Sequence, residues 1–474
     1  MTANYLFRRY QADDYIAIAQ EAEKWIRTNE IETPYGIRWK QSPDSSEDFS
    51  DYPMLTEKAL YGGSAGIGLF YLRLYQAVHN EAYLDKAEKA ADYIIHTDEG
   101  PDFYRKALSH ASGEADKLVH VKNMPGWIIG YYNGPTGSAN LILKLYEATG
   151  KEKYRDYAVK VADDLLQNAV KEEEGLRWSE QNDACGDAGF APYLISVWKL
   201  TGDRRYLDAA SALGHYVISR GKPAPNGGRY WNVVDLTIID FPPDVFWVNF
   251  AHGTSGVGWI FAILYQATGE EIFLQAARDA AEYIKGIAVG DENAVLVPYL
   301  DSLERGPSTE FYYLSTCHGP AGTALLFEAL YKITKEPSYL DWVKKLSRGI
   351  IAAGAPEQFS RGYWPSQAIC CSTPGLLEHF ISVYRLTGEP EFLRYAERAA
   401  RTVIGQSHAD DDPADIYKTQ GTRRWLGAWW RTIPQDVHSY TGLYLGTAGN
   451  AWSLLSLAGL LKNEDYIQLV EYDY

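Results

Sequence analysis

Apolar residues along this chain fall into a repeating two-part pattern. Seven runs of about three helical turns are apolar on nearly every side, from IGLFYLRLYQAV at 67–78 to NAWSLLSLAGLL at 450–461. Such runs predict buried helices, because a surface helix keeps a polar face. Six are followed by a more polar run, such as YLDKAEKAADYII at 83–95 and FLRYAERAARTVI at 392–404, with apolar residues spaced three and four apart. That spacing predicts a helix with one buried face. Each inner run opens on a Gly-x-x-Gly turn whose last glycine is Gly66, Gly137, Gly189, Gly256, Gly322, Gly375 or Gly449; the sixth turn begins with Ser372 instead. Seventeen residues after those glycines stand Tyr83, Tyr154, Tyr206, Phe273, Tyr339, Phe392 and Tyr466. Gly150, Gly202, Gly269 and Gly388 follow four of the inner runs, where a left-handed helix stop belongs.

Inner helices that are apolar all round, each paired with an amphipathic outer one, predict an all-α fold: an α/α toroid of seven inner/outer helix pairs. The repeats span residues 55–474, and residues 1–54 read as an N-terminal helical extension built on YQADDYIAIAQEAEKWIRTNEIE at 10–32. The seventh copy stops short after Tyr466. The longest insertions precede copies 2, 4, 5 and 7. The one at 222–247, rich in proline and aromatics, predicts strand-like or irregular loops at the end where the glycine turns lie and a site would be built.

Composition narrows the function. A formal charge of −17 excludes the basic footprint of a nucleic-acid binder. The 36 Tyr and 14 Trp suggest long inter-helix contacts or a stacking surface. Four cysteines in 474 residues are too few for a disulfide framework. The N-terminus has no apolar signal segment, and no stretch is long enough to span a membrane. The expectation is a reduced, cytoplasmic protein.

The candidate chemistry lies just ahead of the turns. Cys317 and Cys370 sit five residues before the last glycine, and Cys185 and Cys371 sit four before it, the register that His252 and His318 share. Copies 5 and 6 are neighbours around a toroid, so Cys317, Cys370 and Cys371 can converge. Soft thiolates in a reduced compartment suit Zn2+. The competing reading is that they are small buried hydrophobes at tight helix starts, and Cys185, two copies away, is assigned to packing. His318 is a candidate fourth ligand or supporting donor. His252 is a candidate proton donor or acceptor at neutral pH.

AlaHisGly at 251–253, CysHisGly at 317–319, CysCys at 370–371 and GlyLeuTyrLeuGlyThrAlaGly at 442–449 resemble the lanthionine synthetase C-like (LanC-like) cyclase family in order and spacing. The resemblance implies a toroid with a catalytic zinc that adds a peptide cysteine thiol to a dehydroalanine or dehydrobutyrine, closing a thioether ring. It places the metal ligands on Cys317, Cys370 and Cys371, the last standing where histidine is usual, and the catalytic histidine on His252. An aspartate found in many members ahead of the copy 2 turn has no counterpart; Tyr131, Tyr132 and Asn133 stand there, and Asp183 and Asp187 of copy 3 are the alternatives. The implied partners are a dehydrated precursor peptide and a separate dehydratase, with the leading helix capping the toroid or binding a leader peptide. Three rivals remain: addition of glutathione or another free thiol, a non-catalytic peptide-binding scaffold, and a carbohydrate-active toroid, which has no use for three thiols in one register.

Overall fold

The computed structural model describes residues 8–43, 57–110, 125–232, 244–310, 312–358, 367–409, 421–430 and 433–474. The inner runs are the helices Ser64–Val78, Pro135–Thr149, Phe190–Thr201, Thr254–Thr268, Pro320–Thr334, Thr373–Thr387 and Thr447–Lys462. The outer runs are Glu81–His96, Glu152–Gln167, Arg204–Arg220, Glu271–Ile287, Pro337–Ala352 and Pro390–Gly405. Crowding explains the turn glycines. A Cβ on Gly256, Gly322 or Gly449 would lie 1.8 Å from the carbonyl oxygen of Phe250, Thr316 or Leu443, so no side chain fits. The four predicted stops are left-handed, and His79, Lys335 and Asn463 take the same conformation in the other three copies. The register aromatic anchors the outer helix in the core: Tyr154, Phe273 and Phe392 are fully buried.

The chain divides into two compact units. One comprises Met1–Asp98, Ser138–Arg155 and Gly354–Gln468; the other comprises Glu99–Gly137, Asp156–Ala353 and Leu469–Tyr474. Within the first unit the leading helix Ala12–Thr28 packs along Thr447–Lys462, the inner helix of copy 7. Lys462 Nζ reaches Asp13 at 2.8 Å. The leading helix therefore covers the inner helix of copy 7 as the outer helices cover those of other copies. The boundary expected at 54/55 lies outside the described residues.

Small antiparallel hairpins, absent from the helical pattern, follow several outer helices. Val170–Glu172 pairs with Gly175–Arg177, Lys222–Pro223 with Arg229–Tyr230, and Val289–Gly290 with Val295–Leu296. In the other unit Glu30–Thr33 pairs with Gly36–Trp39 and Ser407–Ala409 with the strand Arg423–Trp430. Their tryptophans have a common job. The indole N–H groups of Trp178, Trp231 and Trp425 donate at 2.7 Å to the carbonyls of Leu165, Val217 and Val403. Those carbonyls lie in the last turn of an outer helix, beyond reach of a helical i+4 N–H, and those of Leu165 and Val403 also accept from the cap residues Asn168 and Gln406. Of the insertion at 222–247, residues 222–223, 229–230 and 245–247 are strand, as expected, and 233–243 lie outside the described residues. Among the described residues no helix is long and apolar enough to cross a membrane.

Candidate metal centre

Backbone hydrogen bonds fix the segments ahead of the turns. Ala251 N donates to Cys317 O at 2.8 Å, and Cys185 N donates to Ala251 O at 3.3 Å. In the other unit Cys370 N donates to Tyr444 O at 3.3 Å, and Tyr444 N to Tyr61 O at 2.8 Å. Equivalent registers of successive copies are thus laced together, so a side chain placed there has a fixed origin.

The ligand atoms of Cys317, Cys370 and Cys371 all lie within 4.8 Å of one another. All three are free thiols; Cys317 and Cys371 are buried and Cys370 is partly exposed. Sulfurs bound to one tetrahedral zinc at about 2.3 Å stand about 3.8 Å apart. The cluster therefore fits such an ion with little movement. Three sulfur donors would leave a tetrahedral ion one position short of a closed protein shell, and Cys370 is partly exposed.

His252 stands at the equivalent register of copy 4. Its Nδ1 lies 2.9 Å from Asp183 Oδ2. A carboxylate can only accept, so Nδ1 carries the proton and Nε2 is left to exchange one. Asp183 is wholly buried and held in place: Gly186 N donates to its Oδ1 at 2.7 Å, and Gln181 Nε2 lies 3.2 and 3.1 Å from its two oxygens. Trp247 flanks the histidine, its ring 5.2 Å from that of His252 and 5.3 Å from that of His318. The strand Val245–Trp247, paired antiparallel with Leu300–Ser302, delivers that tryptophan.

The sequence profile of lanthionine synthetase C-like proteins matches residues 55–457. This chain belongs to that family. A curated relative, the glutathione S-transferase LANCL1 of Danio rerio, is 23% identical over 337 residues, covering 61% of this chain and 75% of its own. Among solved structures, nisin cyclase shares the fold with a TM-score of 0.58 at 18% identity, over 86% of this chain and 89% of its own. The Lin0763 protein from Listeria innocua follows with a TM-score of 0.50 at 13% identity, over 96% and 99%. The all-α toroid of helix pairs expected from the repeats is thus the fold of this LanC-like chain.

The structure sorts the other candidates of this LanC-like site. Asp183, not Asp187, engages His252. Asp187 instead accepts from Trp178 N, Ser179 N and Ser179 Oγ, each at 2.7 Å, and burial pushes its carboxyl up to about 6 against those bonds. It holds the loop that carries Asp183. Tyr132 donates to Glu471 Oε1 at 2.7 Å, and Asn133 Nδ2 lies 3.4 Å from Trp127 O within its own turn, so neither meets the histidine. Tyr131 is buried, which raises its phenol well above the usual range. His318 is not one of the clustered ligands among the described residues; it packs against Trp247, Tyr299 and Tyr313. Cys185 stays out of the cluster as well. Burial, then the charges of Asp183, Cys317 and Glu471, push its thiol upward, as suits a packed side chain. Trp247 closes the aromatic-rich insertion at 222–247, and Tyr313 belongs to none of the motifs read from the sequence. The Tyr-x-x-x-Cys spacing before the copy 5 turn was the available signal for the second.

Proposed function

We propose that this chain is a zinc-dependent cyclase that joins a cysteine thiol to a dehydroalanine or dehydrobutyrine of a dehydrated peptide, forming a lanthionine or methyllanthionine ring. The observation that carries the reading is the cluster of Cys317, Cys370 and Cys371 within 4.8 Å in a member of this family. Those three side chains would hold the ion, and when bound it supplies a Lewis acid that keeps the substrate thiol ionised near neutral pH. The sulfur adds to the β-carbon of the dehydro residue, the C–S bond forms, and the electron pair of the double bond moves toward the carbonyl as an enolate. His252 Nε2, in its protonated form, gives the proton that the α-carbon takes up, and the proton released as the thiol ionises restores it, so the peptide neither gains nor loses atoms. Asp183 stabilises the imidazolium and fixes the ring, so the acid is oriented before the substrate arrives. Trp247 covers the histidine and limits access of water to the enolate.

The peptide arrives already dehydrated, so a separate dehydratase acts before this chain, in a reducing compartment such as the cytoplasm. A dehydrated peptide incubated with the protein should lose free thiols without change of mass. Unaltered thiol content with zinc present would sink the cyclase and leave the peptide-binding scaffold. A second reading has one observation behind it, the relative described as a glutathione S-transferase. The same residues would then serve a free thiol, and the product would gain the mass of glutathione.

A further inference from the structure

Building on the metal reading above, we infer that Tyr313 is a positioning residue that tunes the zinc through Cys317. Tyr313 lies four residues before Cys317 and is wholly buried. Its hydroxyl oxygen is 3.5 Å from Cys317 Sγ, where the thiol donates to the phenol. Both ends of this contact are held. Tyr299 stacks on the tyrosine ring at 5.9 Å, and His318 meets it edge-on at 5.8 Å and 88°. The cysteine backbone is pinned by the 2.8 Å bond from Ala251 N to Cys317 O. The oxygen and the sulfur therefore stay together whichever of them carries the proton.

Metal binding reverses that bond. A cysteine binds zinc as the thiolate and has then no proton to give. The phenol O–H then turns about its C–O bond onto the sulfur, so the phenol becomes the donor and the sulfur the acceptor. A hydrogen bond to an anionic sulfur is charge-assisted and stabilises the ligand. It also draws electron density out of the sulfur–metal bond. With three thiolates around one ion, that withdrawal leaves the metal a stronger acceptor for a fourth, incoming thiol. Tyr313 thus adds affinity through Cys317 while limiting how much charge the sulfur passes to the metal, the role outer partners play at other metal sites.

The test uses the full chain loaded with Co2+ and compares wild type with Tyr313→Phe, which keeps the ring and its stacking. The sulfur-to-cobalt charge-transfer band should move to longer wavelength in the variant, and chelator competition should show zinc held about tenfold more weakly. Unchanged band and affinity would mean that the hydroxyl does not reach the bound sulfur, and the proposal falls. A wild type with no such band would bring down the metal reading itself, which separates the two failures. Site-specific 3-fluorotyrosine at position 313, a stronger donor of nearly the same shape, covers the case in which the phenylalanine variant does not fold. It should shift the band the opposite way, and no shift would again overturn the proposal.

Discussion

Asp183 and His252 stand 69 residues apart, and their 2.9 Å contact gives the histidine one defined tautomer. Replacing Asp183 with Asn keeps the size of the side chain but lets it offer an N–H to Nδ1, which favours the wrong tautomer. Cyclisation by Asp183→Asn should fall about 10²- to 10⁴-fold, with zinc content unchanged. Equal loss of zinc and activity would show the aspartate to be structural only. The pairing was half legible: the shared register marked His252, but Asp183 and Asp187 lie four residues apart in one loop and sequence could not choose between them. Another residue sets a pH limit. Burial pushes His379 down to about 3, whereas the unfolded chain has the ordinary value of 6.5. Its contribution to stability is therefore present above 6.5 and is lost as pH falls toward 3, because the unfolded state takes up the proton first. Between pH 6.5 and 5 that loss is about 2 kcal/mol. Chemical denaturation at the two pH values should show it as the difference between wild type and His379→Leu, since Asp187, held up at about 6, titrates in the same window and is common to both.

At the scale of elements, the helix pairs were legible because their signals are long: twelve apolar residues, a fixed turn and an aromatic at a fixed distance. The short hairpins, Arg423–Trp430 apart, were not, since strands of two to four residues carry no periodicity. Their trace was the tryptophan closing GIRW at 36–39, GLRW at 175–178 and GRYW at 228–231. Composition flagged those aromatics without locating them, and several turn out to cap the carbonyl ends of outer helices. The leading helix was readable as a helix but not as a partner of copy 7, because that contact joins opposite ends of the sequence. Ile26 is fully buried on this helix. Ile26→Ala should lower unfolding free energy by about 2–5 kcal/mol, measured by denaturant titration. A change below about 0.5 kcal/mol would mean that the helix is an independent appendage.

For the molecule as a whole, the repeat gives the frame, and the residues ahead of the turns of copies 3 to 6 carry the proposed chemistry. The glycines belong to the frame: a Cβ clash of 1.8 Å at Gly256, Gly322 and Gly449 is reason enough for them. The thiols are a different matter. Packing alone gives no reason for Cys317, Cys370 and Cys371 to bring their sulfurs within 4.8 Å of one another in a chain with only four cysteines. The formal charge of −17 is an excess of carboxylates over cations and does not by itself define a partner. Elemental analysis of protein purified without chelator, beside Cys317→Ala and Cys371→Ala, tests the account most directly. It predicts about one zinc per chain in wild type and little in either variant, the loss expected when one of three thiolate ligands is removed. Wild type without zinc, or variants that retain it in full, would contradict the account and return the cysteines to the packing of the helix starts.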